Sequence, residues 1–273
     1  MNYRHAYHAG NFADCMKHAL LVWLVQALQR KPAPIGVLDT HAGASIYDLE
    51  SIPARRTGEW RAGIDRLFDR PPAALVPYVD LVRRFAGLYP GSPALIRALL
   101  RPEDRLTCCE LHPEEFFELR RRLGRDKQVA LHQRDGWEAL RALLPPKERR
   151  GLVLIDPSFE QPDEFATLAE GLRTGYARFP AGVFAAWYPI KHRAPVRGFH
   201  TAMRDSGIRN IAAAELLLRE PLDPALLNGC GVLMINPPHH FTLEVPAILE
   251  GLQDRLAAGR SDAGVKVTRI IDE

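Results

Sequence analysis

Hydrophobic positions along the chain fall into short β-prone runs set between stretches of helical spacing. Seven runs stand out: Ile35–Thr40, Leu106–Leu111, Val129–Arg134, Leu152–Asp156, Gly182–Tyr188, Asn210–Leu218 and Cys230–Asn236. Apolar residues at helical period fill Cys15–Gln29, Pro113–Leu123, Gly136–Leu144, Glu164–Tyr176 and Pro195–Ser206. Strand–helix alternation predicts parallel strands joined by crossover helices, a doubly wound α/β sheet of seven strands. The last two runs depart from the rule. Only the Pro-containing Arg219–Gly229 separates them, which suits a hairpin and makes the last strand antiparallel. The stretch from about Ile52 to Tyr89 is charged, proline-dotted and longer than a crossover requires. It reads as a small helical insertion, residues 52–89, over the carboxyl edge of the sheet, within one domain spanning residues 1–273. That edge holds the ligand in open α/β sheets, so the insertion is a substrate-recognition element or a simple cap.

Composition narrows the class. With 273 residues, 47% hydrophobic and 25% charged, the chain can bury a full core without staples, and disorder or fibrous repeats are excluded. The longest nearly unbroken apolar run, Ala19 to Leu28, falls far short of the ~20 residues a membrane span needs. Asp14 and three histidines precede it, Gln29-Arg30-Lys31-Pro32 follows, and no small-residue cleavage site is evident. It reads as a buried helix of a soluble protein. Four cysteines (Cys15, Cys108, Cys109, Cys230) without CxxC spacing suit a reducing cytoplasm rather than a disulfide framework. A net charge of +3, with 30 arginines against 6 lysines, permits an anionic partner without demanding one.

Candidate chemistry clusters at strand ends. The first strand ends Leu38-Asp39-Thr40-His41-Ala42-Gly43-Ala44, an acidic residue before a small-residue turn that lets a ligand approach the backbone. With a single glycine it lacks the dinucleotide fingerprint, which removes the main support for a nicotinamide cofactor. The second ends in Glu110, placed to accept hydrogen bonds from ribose hydroxyls. The third ends in Asp135-Gly136, where a carboxylate and a backbone N–H can serve an adenine ring. Three acidic residues at successive strand ends point to a nucleoside-bearing cofactor. The fourth strand runs into Asp156-Pro157-Ser158-Phe159. This resembles the (D/N/S)-P-P-(Y/F/W) signature of methyltransferases acting on exocyclic amines of nucleobases. Such an amine is a poor nucleophile because its lone pair is delocalised. The Asp156 side chain and the Pro157 carbonyl can accept its two hydrogens and orient it, and Phe159 can stack on the extruded base. A second such tetrapeptide, Asn236-Pro237-Pro238-His239, closes the antiparallel strand and so faces the opposite edge; it is expected to be a structural turn.

The N-terminus carries His5, His8, His18 and Asp14, potential metal ligands in type but without HExxH or paired Cys/His spacing, so no metal is expected. Asp14 is expected to cap the helix that follows. Lys17 and His18, one turn in, suit pairing with a carboxylate such as the methionine end of a cofactor. Tyr3, Arg4 and Tyr7 suit stacking on or pairing with nucleic acid. Trp187 and Tyr188, followed by Lys191, His192, Arg193 and Arg197, line either the base pocket or the core.

A string of short motifs in order then gives a whole-chain likeness. YRHAYHAGNFAD at the start, MKH at 16–18, LDTHAGA at 38–44, RTGEW at 56–60 and YPGSP at 89–93 lead it; ELHP at 110–113, RDGW at 134–137, RRGLVLIDP at 149–157, WYP at 187–189 and INPP at 235–238 complete it. Together they resemble the RlmJ family, which methylates the exocyclic N6 amine of an adenine in large-subunit (23S) ribosomal RNA. The resemblance implies a class I, Rossmann-like methyltransferase fold with a helical insertion and S-adenosyl-L-methionine as cofactor. It implies Lys17, His18, His41 and Ser92 around the methionine portion, Glu110 at the ribose, and Asp135 with Gly136 at the adenine. Asp156 becomes the catalytic acceptor, at the cofactor as well as the base, with Pro157 and Phe159 beside it. Tyr3 becomes a substrate-RNA contact; Arg4 and Tyr188, by their residue types and positions, are expected to contact the RNA as well. The implied substrate is 23S ribosomal RNA, protein-free or in early assembly, methylated by a cytoplasmic monomer. Ser158 and Phe159 stand where the family commonly has a second Pro and a Tyr. The signature reads the amine and not the sugar, so a DNA adenine methyltransferase remains the alternative, as does a non-catalytic RNA protein that binds the cofactor.

Overall fold

The computed structural model describes residues 4–161 and 163–272. Its strands are β1 (Gly36–Asp39), β2 (Ile46–Asp48), β3 (Leu88–Pro90), β4 (Arg105–Cys109), β5 (Val129–His132), β6 (Gly151–Ile155), β7 (Val183–Ile190), β8 (Ile211–Leu217), β9 (Gly229–Ile235) and β10 (Gly264–Ile271). Eight of them form one sheet in the order β10-β8-β9-β7-β6-β1-β4-β5. From β5 across to β7 every neighbouring pair is parallel. Strand β9 then runs antiparallel to both β7 and β8, and β10 antiparallel to β8. The sheet is Rossmann-like, with eight strands where the sequence pattern predicts seven. The added strand, β10, alternates Val265 and Val267 with Lys266, Thr268 and Arg269 at a half-exposed edge. A charged edge strand carries only a weak apolar signal.

Continuous apolar runs become the central strands because helices cover both faces. All residues of β1 and β6 are buried. On one face lie α1 (Phe12–Gln29) and the helices Ser92–Leu99 and Phe241–Leu256. On the other lie the helices Gly136–Ala142, Glu164–Arg178 and Arg193–Arg204. Almost every residue of α1 between Ala13 and Val25 is buried, as expected of a helix enclosed by sheet, insertion and neighbouring helices. The cap of α1 is Asn11, whose side-chain oxygen accepts from the Asp14 N–H at 3.0 Å. Asp14 sits three residues further in and turns its carboxylate elsewhere, which corrects the expectation that it caps. Among the described residues no helix is long and apolar enough to cross a membrane.

Segment 52–89 follows β2. It contains the helices Ile52–Thr57, Asp65–Phe68 and Val76–Arg83, and returns through β3, which pairs antiparallel with β2. Its helices pack on α1 and on Phe241–Leu256. A buried chain joins the layers: His18 Nδ1 lies 2.8 Å from the Tyr89 hydroxyl, itself 3.0 Å from that of Tyr78. Burial pushes His18 down to about 3, so it is a neutral link.

Candidate active site

The carboxyl ends of β5, β4, β1 and β6 are adjacent and parallel, and their turns knit together. Ala42 N donates to Cys109 O at 2.9 Å, Thr40 N to Leu154 O at 3.1 Å, and Glu110 N to His132 O at 3.1 Å. Glu110 accepts from Gly43 N at 2.8 Å and from His112 N at 2.7 Å, one backbone donor per oxygen, with a second lone pair on each for a ligand. Asp135 caps the next helix through Oδ1, which accepts from Trp137 N and Glu138 N at 2.8 and 3.1 Å. Gly136 is required. A Cβ there would lie 2.4 Å from Thr40 O and 2.7 Å from His41 Cε1.

His41 marks the centre of this edge. Its ring stacks edge-on against Trp137 at 5.2 Å, and Nδ1 meets the Thr40 hydroxyl at 2.8 Å. Burial pushes it down to about 4, against the pull of two carboxylates, Asp156 and Asp135. Parallel pairing of β6, β1, β4 and β5 sets the Asp156 loop and the tip of β5 at the same edge of the sheet.

Three more carboxylates and a lysine define the floor. Lys17 Nζ sits 2.5 Å from Asp156 Oδ2 and 2.9 Å from Asp14 Oδ1. Burial opposes its charge, but the two aspartates outweigh it and hold Lys17 above the ordinary lysine range. Asp39, at the end of β1, is fully buried. Among the described residues neither of its oxygens meets a donor in hydrogen-bonding geometry. Desolvation pushes its carboxyl from 3.8 up to about 7. The Ser92 side chain, the His41 amide and Lys17 favour its charge and only partly offset this, while Asp156 adds to the rise. Ser92 itself is buried at the first turn of the helix Ser92–Leu99. An orphaned buried carboxylate calls for an explanation.

Phe159 has φ +52°, a left-handed conformation that bulky residues adopt only under constraint. Its ring packs edge-on against Phe165 at 5.1 Å and Trp187 at 5.8 Å. Register pairs Ile155 with Ala186, which sets Trp187 level with Asp156. The next residue points to the other face. Tyr188 is accordingly fully buried, its hydroxyl 2.9 Å from Glu215 Oε1 and 3.0 Å from His200 Nε2. This corrects the expectation of an RNA contact there; Trp187 is the aromatic beside Phe159. Arg4 is exposed and ion-paired with Glu114 at 3.2 Å. Tyr3 lies outside the described residues.

The N-terminal histidines diverge: His5 to Asp14, His8 to Glu59, His18 to Tyr89. Among the described residues no group of three His, Cys, Asp or Glu is set to hold a metal ion. Asn236 closes β9 at the opposite end of the sheet. Its side-chain amide donates to Pro180 O and Gly182 O at 2.8 and 2.9 Å, beside the start of β7. It is a structural turn, as strand direction predicts.

Residues 32–269 match the family model described as "Ribosomal RNA large subunit methyltransferase D, RlmJ". The chain belongs to the RlmJ family. It is 38% identical to "Ribosomal RNA large subunit methyltransferase J" of Escherichia coli (strain K12), over 97% of this chain and 98% of that protein. The protein of the same name from Haemophilus influenzae (strain ATCC 51907 / DSM 11121 / KW20 / Rd) is 36% identical over 94% of each chain. A solved structure from Legionella pneumophila str. Philadelphia 1, described as protein LPL1258 of family DUF519, superposes with a TM-score of 0.87 at 34% identity. It covers 96% of this chain and 98% of its own. The RlmJ family model begins after α1, whereas the two curated relatives cover 97% and 94% of this chain.

Proposed function

We propose that this RlmJ-family chain transfers a methyl group from S-adenosylmethionine to the N6 amine of an adenine in 23S ribosomal RNA. The carrying observation is that parallel strands bring Asp156, Asp39, Glu110 and Asp135 to one edge of the sheet, with Asp39 buried there. The donor set fits the cofactor. Asp39 supplies a buried negative charge for its cationic methionine end, Glu110 acceptors for ribose hydroxyls, and Asp135 with the Gly136 amide partners for adenine. When bound, the cofactor supplies an electrophilic methyl group.

The chain's own residues do the rest. Lys17 occupies Oδ2 of Asp156, which leaves Oδ1 to accept one amine hydrogen while the Pro157 carbonyl accepts the other. Both bonds raise electron density on the nitrogen and fix its direction, an alignment effect. Asp156 takes the proton that the amine gives up. Phe159, braced by Phe165 and Trp187, provides a face for a base withdrawn from its stack.

The test is label transfer from S-adenosylmethionine to protein-free 23S RNA and, separately, to duplex DNA. Label in adenine N6 of the RNA is expected, and label in DNA alone would overturn the choice of polymer. Asp156→Ala is expected to lower turnover by about 10³-fold or more with cofactor affinity nearly intact. Near-normal turnover would remove Asp156 from the mechanism.

A further inference from the structure

The buried carboxylate of Asp14 is itself assigned to neither the cofactor nor the base, yet it is tied to the Asp156 loop across 142 positions of chain. Only 3% exposed, it divides its two oxygens. Oδ2 accepts from Gly10 N at 2.9 Å and lies 3.0 Å from His5 Nε2. Oδ1 meets Lys17 Nζ at 2.9 Å, one helical turn on. That same ammonium reaches Asp156 Oδ2 at 2.5 Å. One buried cation is thus shared by two carboxylates on different elements.

We propose that Asp14 is a positioning residue for Asp156, acting through Lys17. The inference rests on the proposed methyl transfer. An ammonium on a four-carbon stem is a compact charge with three rotatable donors. Facing Asp156 alone, it would settle between both carboxylate oxygens and compete with the amine for each. Asp14 draws the ammonium to one side, so that a single oxygen of Asp156 is engaged and the other is kept for the base. The arrangement needs all three groups. Without Asp14 the lysine becomes a competitor of the substrate; without Lys17, two carboxylates are left with no cation between them. His5 and Gly10 N–H anchor the far oxygen of Asp14, so the carboxylate cannot follow the lysine inward. An isolated buried charge would be costly, and burial does work against the Asp14 charge. His5 and Lys17 outweigh it and hold the carboxyl well below the ordinary range.

Asp14→Asn tests this, since the amide oxygen still accepts from Gly10 N while the charge that draws Lys17 aside is lost. With labelled S-adenosylmethionine and protein-free 23S RNA, kcat is expected to fall about 10- to 100-fold, the scale of a misplaced reacting group. KM for the cofactor should stay within about 3-fold, and the melting temperature close to that of the parent. A purely structural role would lower the melting temperature and raise KM together, and that result, or unchanged kcat, overturns the proposal. The second arm is a cycle with Lys17→Met under single-turnover conditions. If Asp14 acts through Lys17, adding Asp14→Asn to Lys17→Met costs less than about 2-fold more; an additive loss refutes it. Should Asp14→Asn alone fail to fold, the double variant, which removes both charges, is compared with Lys17→Met by the same criterion. Should Lys17→Met turn over too slowly to measure, the kcat and KM of Asp14→Asn decide alone. A parent protein that labels no RNA sinks the proposed function instead, so the two failures are told apart.

Discussion

Asp39→Asn should make the protein more stable and its cofactor site worse. Asp39 is fully buried with both oxygens unpartnered, and desolvation, with a smaller push from the Asp156 charge, raises its carboxyl from 3.8 to about 7. The folded state therefore keeps a proton that the unfolded chain releases near 3.8. Between about pH 4 and 7 the folded state binds more protons, so this residue's contribution to stability falls as pH rises through that window. At 1.36 kcal/mol per unit, the penalty is about 1 kcal/mol at pH 4.5 and about 4 kcal/mol at pH 7.5. Asparagine mimics the protonated carboxyl without this dependence. The variant should exceed the parent in urea-unfolding free energy by about 1 kcal/mol near pH 4.5 and up to about 4 near pH 7.5. Buried His18 and His41, held down to about 3 and 4, give the parent curve an opposite slope on the acid side. Only the difference between the two proteins isolates Asp39. Calorimetric titration with S-adenosylmethionine should show weaker binding by the variant, the usual exchange of stability against a functional charge. A stability difference that does not grow with pH, or an asparagine variant less stable at pH 7.5, would refute the reasoning.

Glu110→Gln keeps the shape but loses the charged acceptor; cofactor Kd should rise about 10- to 100-fold by titration calorimetry, the worth of hydrogen bonds to a charged group. Trp187→Ala should cut turnover about 10-fold or more by removing the brace behind Phe159. Tyr188→Phe, one residue on, should leave turnover within about 2-fold and lower stability by about 1–3 kcal/mol through the loss of its bonds to Glu215 and His200. Asn236→Ala should likewise leave label transfer unchanged while thermal unfolding registers about 1–2 kcal/mol for its two lost backbone bonds.

The parts legible in the sequence are those written in short-range pattern. Strand runs that end in Asp39, Glu110, Asp135 and Asp156 placed four acidic groups at successive tips, and parallel pairing brings those tips to one edge. What escaped was decided over longer range. Strand β10 hid behind its edge-strand charges, and the helix Phe241–Leu256 carries Pro246 in its interior, a residue that argues against a helix when read locally. The choice between Trp187 and Tyr188 turns on which face of β7 meets the Asp156 loop, and that depends on register with β6. Asp14 and Lys17 show the spacing of an ordinary i,i+3 pair on a helix; nothing local reveals that Asp156 completes it.

The two tetrapeptides beginning Asp156-Pro157 and Asn236-Pro237 show where chemistry departs from spelling. Both follow an apolar strand, and each matches three of the four positions of the signature. Strand direction separates them. Strand β6 is parallel to β1 and delivers Asp156 to the edge that holds Glu110, Asp135 and Asp39. Strand β9 is antiparallel to β7, pairing Ile235 with Phe184 near the start of that strand, and so delivers Asn236 to the far edge. There its amide ties down the backbone before β7, with φ +53° in the left-handed region that asparagine tolerates. The same residue types that would hold an amine at one edge hold a turn at the other. A signature of this kind is therefore a statement about chemistry only once the direction of its strand is known.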